Sequence, residues 1–134
     1  MTKKREKVCY VGVPAIFNLE LECKHINRAF GGYGCYLVGS ALDRPNWRDV
    51  DIALIMEDER FRALFPGTYE NGHPMWEFDE RWLLIVISIS ERMSRTTGLP
   101  VDFKIQPQSY ANKHHDGPRH AMGLTFAREM EPQG

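Results

Sequence analysis

"VGSALDRPNWRDVDIAL", Val38–Leu54, decides how the rest of the chain reads. It joins an apolar run ending at Val38 to a second run, Ile52–Met56, through Gly39-Ser40 and a polar loop containing Pro45. Asp49 and Asp51 stand at the mouth of the second run. Like charges that close repel, and each resists leaving water. A solvated strand end tolerates such a pair; so does a cation held between them. Side chains on a strand alternate faces, so Asp49 and Asp51 are expected on one face, with Val50 and Ile52 turned to the core. Two carboxylates on one face make a hard-oxygen pair suited to Mg²⁺. Gly39 allows close approach of the backbone to a ligand, and N–H groups with the Ser40 hydroxyl can hold phosphate oxygens. In sequence, a phosphate cradle precedes a metal pair by one short loop.

Working outward, Val8–Val13 reads as a short strand stopped by Pro14. From Phe17, apolar residues recur at Leu19, Leu21, Ile26, Ala29 and Phe30, a helical stripe with Asn18 as N-cap and Gly31-Gly32 as its stop. Tyr33–Val38 is a strand, Asp43–Arg48 a polar turn and Asp49–Met56 the next strand. "EDERFRALF" is a short helix bounded by Pro66-Gly67. Trp76–Thr97 carries two periods at once. Ile85, Ile87 and Ile89 alternate like a strand, whereas Trp82, Val86, Ile89 and Met93 fall on one helix face. Its length and the stop at Gly98 favour the helix. "LPVDFKIQP" is a third strand between prolines, and the chain turns polar from about Pro107. The order is helix, strand, strand, helix, helix, strand. It predicts a single α/β (α+β) domain over residues 1–134, a small mixed sheet with helices packed on one face, and a polar C-terminal tail.

Composition narrows the class. With 134 residues, 43% hydrophobic and 26% charged, the chain can bury one core. Seventeen Lys and Arg face eighteen Asp and Glu, a net charge of −1. That balance leaves no basic surplus to draw nucleic acid nonspecifically, although a local arrangement or metal ions could still recruit a polyanion. Cys9, Cys23 and Cys35 are odd in number and lack metal-ligand spacing, as expected of buried thiols in a reducing compartment. The basic start "MTKKREK" lacks a signal-peptide pattern, and the longest apolar run, Trp82–Ile87, is too short to span a bilayer. A cytoplasmic location without membrane attachment is expected.

The order Val38-Gly39-Ser40, eight loop residues, then Asp49-Val50-Asp51-Ile52 resembles the nucleotidyltransferase superfamily of DNA polymerase β, in particular its minimal bacterial members. That family carries a third carboxylate on a later strand after a long helix, and Asp102 in "LPVDFKI" matches in context and order. The resemblance covers roughly Phe17–Ile105. It implies a nucleotidyltransferase-like fold and a transfer assisted by two Mg²⁺ ions, with Mn²⁺ as a substitute. By the same resemblance, Asp49 and Asp51 would hold the ions that grip a nucleoside triphosphate, ATP among them. Asp102 would ligate the second ion and activate an acceptor hydroxyl. Gly39, Ser40 and Arg48 would contact phosphate.

The loop "NKHHDGPRHAMG" crowds Lys113, His114, His115, Asp116, Arg119 and His120. A solvated loop, a zinc site and a basic flap over the phosphates all fit this composition. Arg44 flanks the cradle as Arg48 does. Trp47 suits base stacking or core capping, and Trp76, Phe78 and Trp82 read as core. Two functions share Gly39, Ser40 and the three aspartates. One is an Mg²⁺-dependent enzyme modifying a hydroxyl of a small molecule or of a protein partner such as a toxin. The other is a catalytically degenerate module on the same fold that binds nucleotide or a protein.

Overall fold

Four strands align the apolar runs so that one face of the sheet takes nearly all the large side chains. The computed structural model describes residues 11–42, 45, 48–66, 79–114, 117 and 119–123; for Ser40 it places the backbone. The elements are α1 (Ala15–Phe30), β1 (Gly34–Val38), a 3₁₀ turn (Gly39–Leu42), β2 (Val50–Met56), α2 (Asp58–Leu64), α3 (Glu80–Thr97), β3 (Val101–Pro107), α4 (Gln108–His114) and β4 (His120–Met122). The sheet order is β3-β2-β1-β4. β1 is antiparallel to β2 and β4, while β2 and β3 run parallel. A parallel pair needs a long crossover, and the chain from α2 through α3 supplies it. The fold is mixed α/β, as the order of apolar periods predicts.

Cys35 and Leu37 on β1, Ile52, Leu54 and Met56 on β2, and Phe103 and Ile105 on β3 are buried together with Leu19, Cys23 and Ile26 of α1 and Trp82, Val86 and Met93 of α3. This is the helix-covered face. α4 adds a smaller cover on the other face, where Ala111 packs with Val38, Ala53 and Ile55. The Ser109 N–H donates to Asp58 Oδ1 at 3.0 Å, tying the start of α4 to the start of α2.

The outer edge of β3 is closed by α3. Ser90 Oγ accepts from the Phe103 N–H at 3.0 Å and donates to the Phe103 carbonyl at 3.3 Å. Ser94 does the same for Val101, at 3.0 and 3.3 Å. Trp82 Nε1 donates to the Ile105 carbonyl at 2.9 Å. Four-residue spacing places Ser90 and Ser94 on one stripe of the helix, and every second residue of β3 presents its peptide outward. An edge that would otherwise offer unpaired donors and acceptors is thereby satisfied by side chains. Asp79 caps α3 by accepting from the Trp82 N–H, and Gly98 ends it at φ +74°. The helical reading of this segment holds from Glu80; Trp76 and Phe78 lie outside the described residues.

Several boundaries differ from expectation: β1 starts at Gly34 instead of Tyr33, and β2 starts at Val50, so Asp49 does not share the strand with Asp51. α1 begins at Ala15 with Pro14 at the N-cap position and no side-chain cap, so Asn18 lies inside the first turn. Proline, with no N–H to satisfy, suits that place. Val11–Val13 is not a strand, and Val8–Tyr10 lies outside the described residues. The polar segment after Pro107 contains α4 and the edge strand β4 instead of a plain tail. β4 is held by distant partners: Asn27 Nδ2 donates to the Met122 carbonyl and Glu20 Oε1 accepts from the Gly123 N–H.

Cys23 and Cys35 are buried and free, and a hydrogen bond with Cys35 together with burial pushes the Cys23 thiol upward. Cys9 lies outside the described residues. Among the described residues no helix is long and apolar enough to cross a membrane.

Candidate active site

The pairing register builds the site. Val38, Asp51 and Asp102 are successive Cα partners across β1, β2 and β3, and Tyr36, Ala53 and Lys104 form the next row on the same face. Val50 and Ile52 are buried on the opposite face, as period two requires, while Asp51 is half-buried. Asp102 is half-buried as well, between the buried Val101 and Phe103. The two carboxylates therefore sit side by side on the face that α1 and α3 leave open. Asp49 precedes β2 and is exposed.

Gly39 turns the chain over this pair. Its φ is +80°, and a Cβ there would lie 2.5 Å from Asp51 Oδ2. Glycine is required twice, by the backbone conformation and by the carboxylate beneath it. Gly39, Asp51, Asp102, Lys104 and Gln106 line a cleft of about 220 Å³ together with Val38, Ile52 and Ala53. Burial pushes the Asp51 carboxyl up to about 6, with the charges of Asp102 and Asp49 adding to the rise and Lys104 opposing it. Lys104 Nζ lies 3.7 Å from Asp102 Oδ2.

The donor set suits a hard divalent cation. Its nearest groups are carboxylate oxygens, and the missing side chain at Gly39 leaves the Asp51 oxygen uncovered. Among the described residues no three His, Cys, Asp or Glu side chains stand together as a ready-made metal cage. Asp51 and Asp102 form a pair, and Asp49 lies outside the strand.

The other expected site residues fall elsewhere or are not placed. Ser40 follows Gly39 in the 3₁₀ turn. Arg48 is exposed and does not line the cleft. Of the basic segment's described residues, Lys113, His114, Arg119 and His120 do not line the cleft. His114 stacks on Tyr110 with ring centroids 4.0 Å apart. Arg119 donates to the Ala111 carbonyl at 2.9 Å and to Asn112 Oδ1 at 3.1 Å, bracing α4. His120 pairs with Leu37 across β1 and β4, which alternation places on the helix-covered side. Arg44, Trp47, His115 and Asp116 lie outside the described residues. Lys104 and Gln106 were not expected. The alternation Asp102-x-Lys104-x-Gln106 in "DFKIQ" carries the signal that places them beside Asp102.

No protein-family model, no curated protein and no solved structure matches the chain.

Proposed function

We propose that this chain is an Mg²⁺-dependent nucleotidyltransferase that moves a nucleoside monophosphate from a triphosphate to an acceptor hydroxyl. One observation carries the reading: Asp51 and Asp102 are paired across parallel strands on the open face, with Gly39 against Asp51. The motif order Gly39-Ser40, Asp49-x-Asp51, Asp102 is the second support. By the resemblance, Asp49 and Asp51 would hold Mg²⁺ for the triphosphate, and Asp102 would ligate a second ion on the acceptor side. When bound, the ions neutralise phosphate charge and lower the pKa of the acceptor hydroxyl. The backbone at Gly39-Ser40 orients the phosphates. The acceptor oxygen bonds to the α-phosphorus, the bond from that phosphorus to the bridging oxygen breaks, pyrophosphate leaves and the hydroxyl proton passes to water. Positioning supplies most of the rate.

The acceptor is a small molecule or a protein partner such as a toxin, and the buried free thiols suit a reducing cytoplasm. Calorimetry with ATP and Mg²⁺, run beside a pyrophosphate-release assay with candidate acceptors, tests the assignment. Asp102→Ala should abolish release while largely sparing nucleotide binding. Asp49→Ala should weaken both. Intact ATP binding in Asp49→Ala contradicts the metal assignment. Binding without release by the wild type against every acceptor leaves a nucleotide-binding module in place of the enzyme.

A further inference from the structure

The cleft already contains a cation. Lys104 follows Asp102 by two residues on β3, so both side chains leave the same face of the strand. The Cα partner of Lys104 on β2 is Ala53, and an alanine puts no bulk between the lysine stem and the carboxylate row. The ammonium lies 3.7 Å from Asp102 Oδ2, with both side chains about half-exposed at 49% and 45%. That separation is well beyond the 2.7–2.9 Å of a tight charged hydrogen bond. The pair is close enough to neutralise and loose enough to exchange. Among the described residues that line the cleft, Lys104 is the only cation, against the carboxylates of Asp51 and Asp102.

We propose that Lys104 is the resident counter-cation of the cleft, occupying Asp102 until a divalent ion displaces it. The inference rests on the reading of the cleft as a metal site. An ammonium and a divalent ion on one carboxylate repel each other, so on this proposal ion entry moves Lys104 off Asp102. The four-carbon stem, half in solvent, lets the ammonium swing away without moving the strand. Lys104 thereby sets a threshold: it makes ion binding weaker than the carboxylates alone would give.

The test is Mn²⁺ binding without nucleotide, read as loss of the free-ion electron paramagnetic resonance signal, on wild type, Lys104→Met and Lys104→Arg at 0.1 M and 0.5 M KCl. Circular dichroism checks that each variant is folded. Lys104→Met should bind Mn²⁺ more tightly, roughly two- to five-fold, the range expected for loss of an exposed ion pair. The gain should persist at 0.5 M KCl, because direct occupancy of a carboxylate is screened far less than a distant charge. Lys104→Arg, which keeps the charge, should bind no more tightly than wild type. Unchanged or weaker binding by Lys104→Met, with wild-type binding intact, overturns the displacement role and leaves the metal site standing. A gain that vanishes at 0.5 M KCl also overturns it, since a general field then accounts for the effect. Absence of Mn²⁺ binding in every variant overturns this inference together with the reading of the cleft as a metal site.

Discussion

Asp51→Asn should make the metal-free protein more stable at alkaline pH, and the structure sets both sign and size. Burial, then the charges of Asp102 and Asp49, raise the Asp51 carboxyl from 3.8 to about 6. A group that holds its proton more tightly when folded gives stability that is fully present below its unfolded value. That stability is lost as pH rises through its folded value. The loss therefore runs from about pH 4 to somewhat above pH 6, and at pH 8 the wild type carries all of it. Moving a carboxyl from 3.8 to about 6 corresponds to about 3 kcal/mol. Asp51 is half-exposed, and solvent screening reduces the expected effect to about 1 kcal/mol. Asparagine is always neutral and escapes the loss. In EDTA at pH 8, Asp51→Asn should melt about 3–6 °C above wild type, and at pH 4 the two should coincide. Adding MgCl₂ at pH 8 should raise the wild type more than the variant, which lacks one of the proposed ligands. Urea denaturation at both pH values gives the free energies directly. A variant less stable than wild type at pH 8, or a difference that does not change with pH, refutes the reasoning. It would mark Asp51 as an acceptor of hydrogen bonds the fold depends on.

Gly39→Ala should cost about 1–2 kcal/mol for a side chain forced to positive φ, and it should also weaken Mn²⁺ binding because the new Cβ displaces the Asp51 carboxylate; urea denaturation and ion titration read the two effects separately. Ser90→Ala removes both the acceptor and the donor that Ser90 offers to Phe103 and should destabilise by about 1–3 kcal/mol, with amide exchange at Phe103 accelerating more than exchange at Leu37.

Much of the architecture was legible because the apolar periods are strong and their stops are local. Gly31 at φ +71° and Gly98 at φ +74° end α1 and α3 where glycine is expected, and within α3 the period through Trp82, Val86 and Met93 won over the alternation of the isoleucines. Ile87 is exposed while Trp82, Val86 and Met93 are buried, which a helix explains and a strand does not. β4 was not legible, because nothing in a three-residue run of His120, Ala121 and Met122 announces a strand. Its partners, Asn27 and Glu20, lie on α1 about a hundred residues earlier, and local pattern carries no record of such contacts. The basic segment stayed open between readings for a related reason. Arg119 is a brace on α4 carbonyl and amide groups, a role that composition cannot distinguish from a phosphate contact. At the site, the same-face placement of Asp51 and Asp102 depends on two strands being parallel and in one register, which the motif order implies and only pairing establishes.

The two faces of β2 and β3 have opposite energetic characters, and that division makes the site sustainable. Ile52 and Phe103 are Cα partners buried to 1% and 0%, and they alternate with Asp51 and Asp102 on the other face. Fully burying such side chains contributes about 1.5–3 kcal/mol each, more than the roughly 1 kcal/mol that the Asp51 charge is expected to cost. Alternation lets adjacent residues do opposite things: one row fastens the strands to α1 and α3 while the next holds like charges together. The outer edge of β3 is fixed independently through Ser90 and Ser94, whose partners Phe103 and Val101 flank Asp102. Asp102 is thus held in register from both sides of its strand, by Asp51's strand through the ladder and by α3 through two hydroxyls. A carboxylate positioned by backbone pairing and helix side chains does not depend on a bound cation for its place. On the proposed reading of the cleft, an incoming ligand would have only side chains to rearrange.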